Sequence, residues 1–292
     1  MHWLIGAVAA AILMVLLLDR PVRQWRKFSL AAMQARKRKD WTAAANAYRD
    51  ALEAVGRLKE PSRSKLQAET QVELAGVLHR QGRLKDANEM FRKGYSKLVI
   101  DCWRARLIAC QGYLYWGDLA TDEGSYGDAE EHYRLAVKSC ESIGNTAAIV
   151  FALQRLADSL IRQRRRGEAE DVIRRAIALE SQGVSQTHAG NPAASLSVPD
   201  LYFCREDYDQ ARRLYREKVD FWERQRARPE NVDVGYLQMR LAVAEARTGH
   251  YASALEMWEH AASTLAQEWG EGHPKVSAAR LAKAAIPELA TV

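Results

Sequence analysis

A sixfold pattern of small and large residues constrains the fold of this chain more than any other feature. Each copy has two small residues twelve positions apart, followed four positions later by a large apolar residue. The copies are Ala32/Ala44/Tyr48, Ala75/Ala87/Phe91, Gly117/Ala129/Tyr133, Ala157/Ala169/Ile173, Pro199/Ala211/Tyr215 and Ala242/Ala254/Trp258, with Pro199 replacing the first small residue of the fifth copy. The second small residues are 43, 42, 40, 42 and 43 positions apart. A fixed period of this length predicts stacked structural repeats.

Each copy is predicted to form two antiparallel helices joined by a short turn. In the third copy, Tyr113, Trp116, Gly117 and Ala120 recur at three- and four-residue spacing, which indicates one helical face. Gly124 then opens the turn, since glycine adopts a left-handed helix cap at low cost. Small residues mark the closest approach of the two helices, because larger side chains would hold the backbones apart. Stacking of neighbouring pairs then supplies the core.

The pattern resembles the tetratricopeptide repeat (TPR), which places two small residues and an aromatic residue at this spacing. The long period, and the segment Gly270-Glu271-Gly272-His273-Pro274, are similar to the kinesin-light-chain type of TPR. The resemblance covers roughly residues 25–286. It implies an all-α, TPR-type α-solenoid of about six helix pairs, closed by a C-terminal capping helix over Pro274–Ile286.

An apolar run precedes the repeats, and it predicts one transmembrane helix in front of the solenoid. The run Trp3–Leu18 has 16 residues, and the stretch through Val22 brings it to the length of a short span. A cleaved signal peptide is disfavoured, because the run lacks a charged start and a small-x-small cleavage site. A buried core helix is the other alternative, although it would lie at the open end of the solenoid.

Basic residues follow this run and none precede it. We therefore predict a single-pass membrane protein whose solenoid lies on the cytoplasmic side, with a bacterial inner membrane as the suggested location. The residues predicted to contact the membrane surface are Arg20, Arg23, Arg26 and Lys27. A second basic cluster, Arg36 to Lys39, either contacts headgroups too or forms a solvated turn.

The predicted domains are an anchor (1–22), TPR units 1–4 (23–180), an irregular linker (181–198), and TPR units 5–6 with the capping helix (199–292). Residues 181–192 have turn composition and no apolar period. Pro199 falls where the fifth first helix should be continuous, so that helix starts late or is kinked. A degenerate repeat is favoured over a functional bend or a ligand-ordered loop.

The sequence carries no recognisable catalytic chemistry. Phosphate-binding loops, dinucleotide fingerprints, nucleophile elbows and a His-Glu-x-x-His pair are absent from it. The four cysteines, Cys102, Cys110, Cys140 and Cys204, show no Cys-x-x-Cys spacing, which favours buried apolar residues in a reducing compartment over a metal site or disulfides. We therefore predict no enzymatic activity, no catalytic residues, no metal and no cofactor.

The resemblance implies a partner-binding groove on the concave face, which the first helices line. Its positions in this sequence are Met33, Arg36, His79, Leu114, Asp118, Gln154, Asp158, Asp200 and Met239. Asp118, Asp158 and Asp200 are equivalent in three successive repeats, so they form an acidic row that suits a basic or amide-rich peptide. Alternatively, these polar residues bond to the adjacent helix or face water.

These observations predict a membrane-anchored adaptor or assembly scaffold that binds a protein or peptide partner in the groove. The alternative is a constitutive structural subunit of a large membrane complex, which would bury a larger and more apolar surface. Nucleic-acid or anionic-lipid binding through the arginine-rich fourth and fifth repeats is disfavoured, because acidic residues such as Glu168 and Glu170 interleave with the arginines.

Overall fold

The computed structural model describes residues 20–182, 196–224 and 234–284, and within these ranges the chain is all-α. The described part contains thirteen helices. They are α1 (Arg20–Lys37), α2 (Trp41–Gly56), α3 (Ser62–Arg80), α4 (Leu84–Tyr95), α5 (Trp103–Asp122), α6 (Tyr126–Glu141), α7 (Thr146–Arg162), α8 (Arg166–Gln182), α9 (Ser197–Cys204), α10 (Tyr208–Glu223), α11 (Val234–Arg247), α12 (Tyr251–Trp269) and α13 (Pro274–Ala284).

Consecutive helices pair as hairpins, so α1/α2 form the first hairpin, α3/α4 the second, and α11/α12 the sixth. The last helix, α13, packs against α12 and buries Val276 and Ala279, as expected of a cap. The chain divides into two compact units, residues 1–108 and residues 109–292. The division falls inside α5, so residues 103–108 belong to the first unit. The predicted all-α repeat of helix pairs is confirmed for the described residues.

The repeat positions read from the sequence form the cores of the hairpins. Ala44, Ala87, Ala129, Ala169, Ala211 and Ala254, the second small residues, are all 0 % exposed. The large residues four positions later, from Tyr48 to Trp258, are all buried as well. At Gly117 the two helices approach so closely that a Cβ atom placed there would lie 2.4 Å from the Tyr133 ring. Small residues are therefore required where two helices cross.

The turn between the two helices uses one left-handed residue in every hairpin. Gly82, Gly124 and Gly249 have φ angles of 73°, 78° and 82°, as their recurrence in the sequence predicts. The equivalent residues of the other three hairpins are Lys39, Arg164 and Glu206, with φ angles of 57°, 62° and 63°. At these three positions the left-handed backbone conformation costs free energy, because a side chain with a Cβ atom crowds the backbone there and glycine does not.

The fifth hairpin begins with the shortest described helix. The helix α9 has 8 residues, and Pro199 lies in its first turn, where the missing N–H is tolerated. The late start predicted for this helix is therefore confirmed. Most of the predicted linker, residues 183–195, lies outside the described residues, as do residues 285–286 of the predicted capping helix.

The prediction for the cysteines is wrong at three of the four. Cys110 on α5 and Cys140 on α6 form a disulfide, since the hairpin brings residues 30 apart in sequence to a Cα–Cα distance of 5.2 Å. Both are buried apolar positions, but they are not thiols. Cys102 is partly exposed, and only Cys204 is a buried free cysteine as predicted.

The predicted membrane localisation is corrected by the structure. Among residues 20–182, 196–224 and 234–284, no helix combines the length and the apolar character needed to span a bilayer. The run Trp3–Leu18 lies outside the described residues. Arg20–Val22, assigned above to the anchor, belong instead to α1, the first helix of the first hairpin. This helix is held by Trp25, whose indole N–H donates a hydrogen bond to the Thr70 hydroxyl at 3.0 Å.

Candidate binding pocket in the first unit

A cavity of about 320 Å³ opens in the first unit, where α1, α3 and the start of α5 meet. Its lining residues are Trp25, Arg26, Ser29, Leu30, Met33, Lys65, Leu66, Glu69, Cys102 and Arg104. Apolar and charged side chains both contribute, as is usual in sites that bind small molecules or single side chains of a partner. The volume lies at the lower end of the range typical of such sites.

One face of α1 supplies the accessible apolar wall of this cavity. Arg26, Leu30 and Met33 follow at spacings of four and three residues, which place them on the same side of the helix. Leu30 is 53 % exposed and Met33 is 48 % exposed. Large apolar side chains exposed around a cavity are a signature of an interaction surface.

More apolar surface lies beside Cys102 in the sequence. Val99, Ile100 and Trp103 are 56 %, 46 % and 63 % exposed, and all three belong to the first unit. Together with Leu30 and Met33 they make up most of the large hydrophobic side chains that are exposed in the described residues.

The floor of the cavity is an ordered polar cluster around Trp25. The Trp25 side chain is 7 % exposed, and the Arg104 guanidinium lies 5.3 Å from its ring centre in a cation–π contact. Arg104 also donates to the Glu69 carboxylate, with an Nε–Oε2 distance of 3.1 Å. Burial raises the pKa of Glu69, and the charge of Arg104 opposes that rise. The buried carboxylate is therefore compensated by the arginine that covers it.

The second carboxylate at the cavity edge is neutralised as well. The Lys65 ammonium group donates to both oxygens of Asp101, at 2.8 and 2.9 Å. This hydrogen bond lowers the pKa of Asp101 and raises that of Lys65. Arg26 differs from these groups, because it is exposed and has no ion pair or hydrogen bond within the described residues.

The structure separates the groove residues predicted in the first unit. Met33 lines the cavity. Arg36 forms an ion pair with Glu73 and donates to the Tyr48 hydroxyl at 3.4 Å. His79 is 0 % exposed and therefore belongs to the core. Their contact with a partner stays a prediction, and the burial of His79 argues against a direct role.

The four residues predicted to contact a membrane surface are all exposed on α1. They are Arg20, Arg23, Arg26 and Lys27. Only Arg26 of the four lines the cavity. The structure therefore places one of them at the candidate site and leaves the others on the surface of the helix.

Asp158, the middle residue of the predicted acidic row, is paired with two of the chain's own arginines. Asp158 is 5 % exposed and accepts hydrogen bonds from Arg162, at 2.9 Å, and from Arg240. Burial alone would raise the pKa of Asp158, but the charges of Arg240 and Arg162 lower it to about 2. A buried carboxylate held this way is unavailable to a basic ligand.

Arg240 comes from α11, 82 residues beyond Asp158 in the sequence. Its Nε donates to the Tyr236 hydroxyl at 2.8 Å, and its guanidinium lies 4.7 Å from the Phe203 ring centre. The hairpin between these helices begins with the short α9, which supplies the Phe203 ring that Arg240 covers. Arginine is suited to this position because its planar group stacks on rings while it pairs with carboxylates.

The other two members of the row also have partners from their own unit. Asp200 is 3 % exposed and accepts a hydrogen bond from the Tyr215 hydroxyl. Burial raises the pKa of Asp200 to about 6. Asp118 accepts from the Tyr133 hydroxyl at 2.8 Å and lies 3.7 Å from Arg155. Each of the three carboxylates therefore has a hydrogen-bond partner on another helix of its unit, and contact of the row with a peptide stays a prediction.

The remaining predicted groove residues lie within or beside the cores of the second unit. The Gln154 amide donates to the Ser197 hydroxyl at 3.0 Å. Leu114 is buried in the core around Tyr133, and Met239 is half-buried against the core of the sixth hairpin. As ligand contacts these three stay predictions.

The arginine-rich surface of the second unit is an array of ion pairs. Arg134 and Arg165 share Glu130, while Arg174 and Arg205 share Glu170 at 2.7 and 2.6 Å. The acidic residues that interleave with the arginines in the sequence therefore form ion pairs with them at the surface.

Most residues of the pocket were not predicted from the sequence. Met33 was predicted in a groove and Arg26 at a membrane surface, whereas Leu30, Lys65 and Arg104 were not connected with them. The face Arg26-Leu30-Met33 was detectable from helical spacing alone. The other lining residues come from the early turns of α3 and from the segment at the start of α5, which the repeat pattern does not mark.

Comparison with known proteins agrees with this architecture. No family model and no curated protein matches the sequence. Among solved structures, the apo form of the quorum sensor NprR from B. thuringiensis matches with a TM-score of 0.58 at 12 % identity, covering 97 % of this chain and 75 % of that one. A tetratricopeptide repeat protein from Parabacteroides merdae matches with a TM-score of 0.53 at 16 % identity, covering 92 % and 98 %.

A third match is a Rap protein complexed with Competence and Sporulation Factor, with a TM-score of 0.52, 16 % identity and coverage of 92 % of this chain and 76 % of that chain. At these identities the likeness concerns the fold alone. The described chain therefore has a TPR-like helical-repeat fold.

Proposed function

We propose that this protein is a non-enzymatic binding module that captures a segment of another protein at the pocket of its first unit. The observation that carries the proposal is the open cavity beside α1, with Leu30 and Met33 about half exposed at its wall. The Rap protein complexed with Competence and Sporulation Factor supports binding as a use of this fold.

The cavity suits a large apolar side chain from the partner. Its volume of about 320 Å³ leaves room for one such group and part of its backbone. Full burial of a leucine, methionine or phenylalanine side chain contributes about 1.5–3 kcal/mol. Leu30, Met33 and Leu66 present apolar surface to this group, while the Trp25 ring closes the floor. A single anchor residue supplies part of the affinity, and contacts along the neighbouring chain supply the rest.

No reaction is assigned to the pocket. Among the described residues that line the cavity, Cys102 is the one nucleophilic thiol, and none of them is a histidine that could act as its base. The other polar groups are held in the ion pairs of Lys65 with Asp101 and of Arg104 with Glu69.

A permanent subunit partner is the second candidate, favoured by the exposure of Val99, Ile100 and Trp103. Permanent partners bury larger and more apolar interfaces than transient partners do. Co-purification of the full chain separates the two, because a permanent partner is recovered at equal stoichiometry and a captured client is recovered below it.

The test of the binding proposal selects displayed peptides on the full-length protein. A random phage-displayed library is expected to yield binders that protect Cys102 from alkylation by iodoacetamide, as mapped by mass spectrometry. Cys102 is a suitable reporter, because Cys204 is buried and Cys110 and Cys140 are paired.

Two exposed apolar residues supply a matched pair of variants for this selection. Met33→Glu is expected to abolish enrichment by placing a charge in the cavity wall. Leu281→Glu changes a residue that is 74 % exposed in the second unit and is expected to leave enrichment intact. Enrichment that persists in Met33→Glu without protection of Cys102 would refute the pocket as the binding site.

A further inference from the structure

We infer that the captured segment is acidic, with a large aliphatic side chain in the cavity and a carboxylate beside Arg26. The inference rests on the proposed function and adds the chemical class of the partner. It is carried by the charges of α1 and by the pairing of Glu69 and Asp101, the two carboxylates that the described residues place at the pocket.

The helix that forms the cavity wall has charges of one sign only. It contains six basic residues and no acidic residue. The six are Arg20, Arg23, Arg26, Lys27, Arg36 and Lys37. Arg36 is paired with Glu73, whereas Arg26 is exposed at the cavity, so this part of the helix attracts anionic segments and repels cationic ones. Electrostatic complementarity of this kind chiefly determines which partner docks and how fast it associates.

The carboxylates at the cavity are already satisfied. Glu69 accepts from Arg104 at 3.1 Å, and Asp101 accepts from Lys65 at 2.8 Å. A basic ligand would therefore have to break one of these pairs before it gained an ion pair of its own. A carboxylate ligand needs no such exchange, because Arg26 is exposed and unpaired within the described residues.

The helix geometry gives the spacing within the ligand. Arg26 and Leu30 are four residues apart, or about 6 Å along the helix axis, and Arg26 and Met33 are about 10.5 Å apart. An extended peptide rises about 3.3 Å per residue. The acidic residue therefore lies about two to three positions from the aliphatic anchor.

A protein segment fits this surface better than a lipid surface does. The apolar residues surround a recessed cavity with the buried Trp25 ring at its floor. A single side chain can enter such a recess, whereas a layer of headgroups contacts the exposed rim. The choice between the two is one outcome of the experiment below.

The experiment measures binding of four fluorescein-labelled peptides to the full chain by fluorescence anisotropy. The peptides share one backbone and combine either leucine or serine at the anchor with either aspartate or lysine at the flanking positions. The leucine–aspartate peptide is expected to bind most tightly. Replacement of its leucine or its aspartates is expected to weaken binding about tenfold or more, and salt is expected to weaken it further.

The matched variants are Arg26→Glu and Lys27→Glu, which change the net charge equally on adjacent exposed residues of α1. Arg26→Glu is expected to weaken binding of the leucine–aspartate peptide about tenfold or more, because it removes the cation that pairs with the peptide's aspartate. Lys27→Glu acts only through the general electrostatic field, so we expect it to weaken binding of the same peptide less than about threefold. Equal losses in the two variants would overturn the role of Arg26.

The outcomes separate this inference from the function on which it rests. Equal or tighter binding of the leucine–lysine peptide would overturn the acidic partner and leave a Met33-dependent binding pocket in place. If none of the four peptides binds but the library selection succeeds, the acidic partner is likewise overturned and the binding pocket remains. Failure of the library as well would remove the proposed function. Phosphatidylserine vesicles that bind with the same dependence on Arg26, while no peptide binds, would overturn the inference in favour of a lipid surface.

Discussion

The contact between Gly117 and Tyr133 yields the most specific stability prediction. A Cβ atom at Gly117 would lie 2.4, 2.6 and 2.8 Å from three carbon atoms of the Tyr133 ring. The ring cannot move freely, because its hydroxyl donates to Asp118 at 2.8 Å and lies 3.2 Å from the Thr121 hydroxyl. Gly117→Ala therefore has to shift a buried aromatic residue and disturb its hydrogen bonds.

The expected cost follows from opposing effects. Overpacking of a buried site lowers the free energy of unfolding by about 1–3 kcal/mol. A contact as short as 2.4 Å is expected to cost an amount at the upper end of this range. Alanine recovers about 1 kcal/mol of helix propensity relative to glycine. We expect Gly117→Ala to lower the free energy of unfolding by about 2 kcal/mol, measured by urea denaturation followed by circular dichroism.

Two further variants make this result interpretable. A Cβ atom added at Gly127 on α6 would meet no other atom within 4 Å, so Gly127→Ala is expected to be neutral or to stabilise by up to about 1 kcal/mol. Tyr133→Leu in the Gly117→Ala background should recover part of the loss, as a double-mutant cycle would show. Unchanged or increased stability of Gly117→Ala with an unchanged m-value would refute the packing argument.

Three other predictions concern the disulfide, a buried carboxylate and a turn. Cys110→Ser should lower the unfolding free energy by up to about 3.6 kcal/mol, because the disulfide closes a loop of 30 residues and restricts the unfolded chain. Dithiothreitol should destabilise the wild type but not this variant. Equal sensitivity of the two proteins to dithiothreitol would argue against the disulfide. Asp200 has a folded pKa of about 6, above its ordinary value of 3.8, so its protonation stabilises the fold fully below about pH 4, and this contribution is lost as the pH rises through 6. Relative to Asp200→Asn, the wild type should therefore lose up to about 3 kcal/mol between pH 4 and pH 7 in urea titrations, and a flat difference would refute the assignment. Gly124→Ala should lower the free energy of unfolding by about 1 kcal/mol in thermal or urea unfolding, because φ is +78° and no neighbouring atom crowds the added Cβ. Arg164→Gly, at φ +62°, should leave the free energy of unfolding unchanged or raise it slightly. A large loss of stability in Arg164→Gly would contradict the argument from the left-handed cap.

The helix pairs were predictable because their determinants are local and recur. Ala129 and Tyr133 are four residues apart, and the partner Gly117 is twelve residues before Ala129, so one hairpin contains the whole signal. The same holds for the turn at Gly124 and for the late start of the helix that contains Pro199. Periodicity of this kind is read from a single sequence.

The candidate site was predicted only in part, since its members come from different repeats. Glu69 and Arg104 are 35 residues apart and show no local pattern that links them. Asp158 is equivalent by repeat position to Asp118 and Asp200, but its burial and pairing were not predictable from that position. Arg240 pairs with it from 82 residues away, and no rule of spacing connects that arginine with Asp158.

The all-α repeat, the hairpin cores and the glycine turns follow from the amino-acid sequence, because a helix pair cannot bury both of its apolar faces alone and small residues recur where its helices cross. The accessibility of the polar residues follows only from the folded chain. Burial and pairing depend on contacts between repeats, so Asp158 is enclosed by Arg240, while Arg26 is left exposed beside an open cavity.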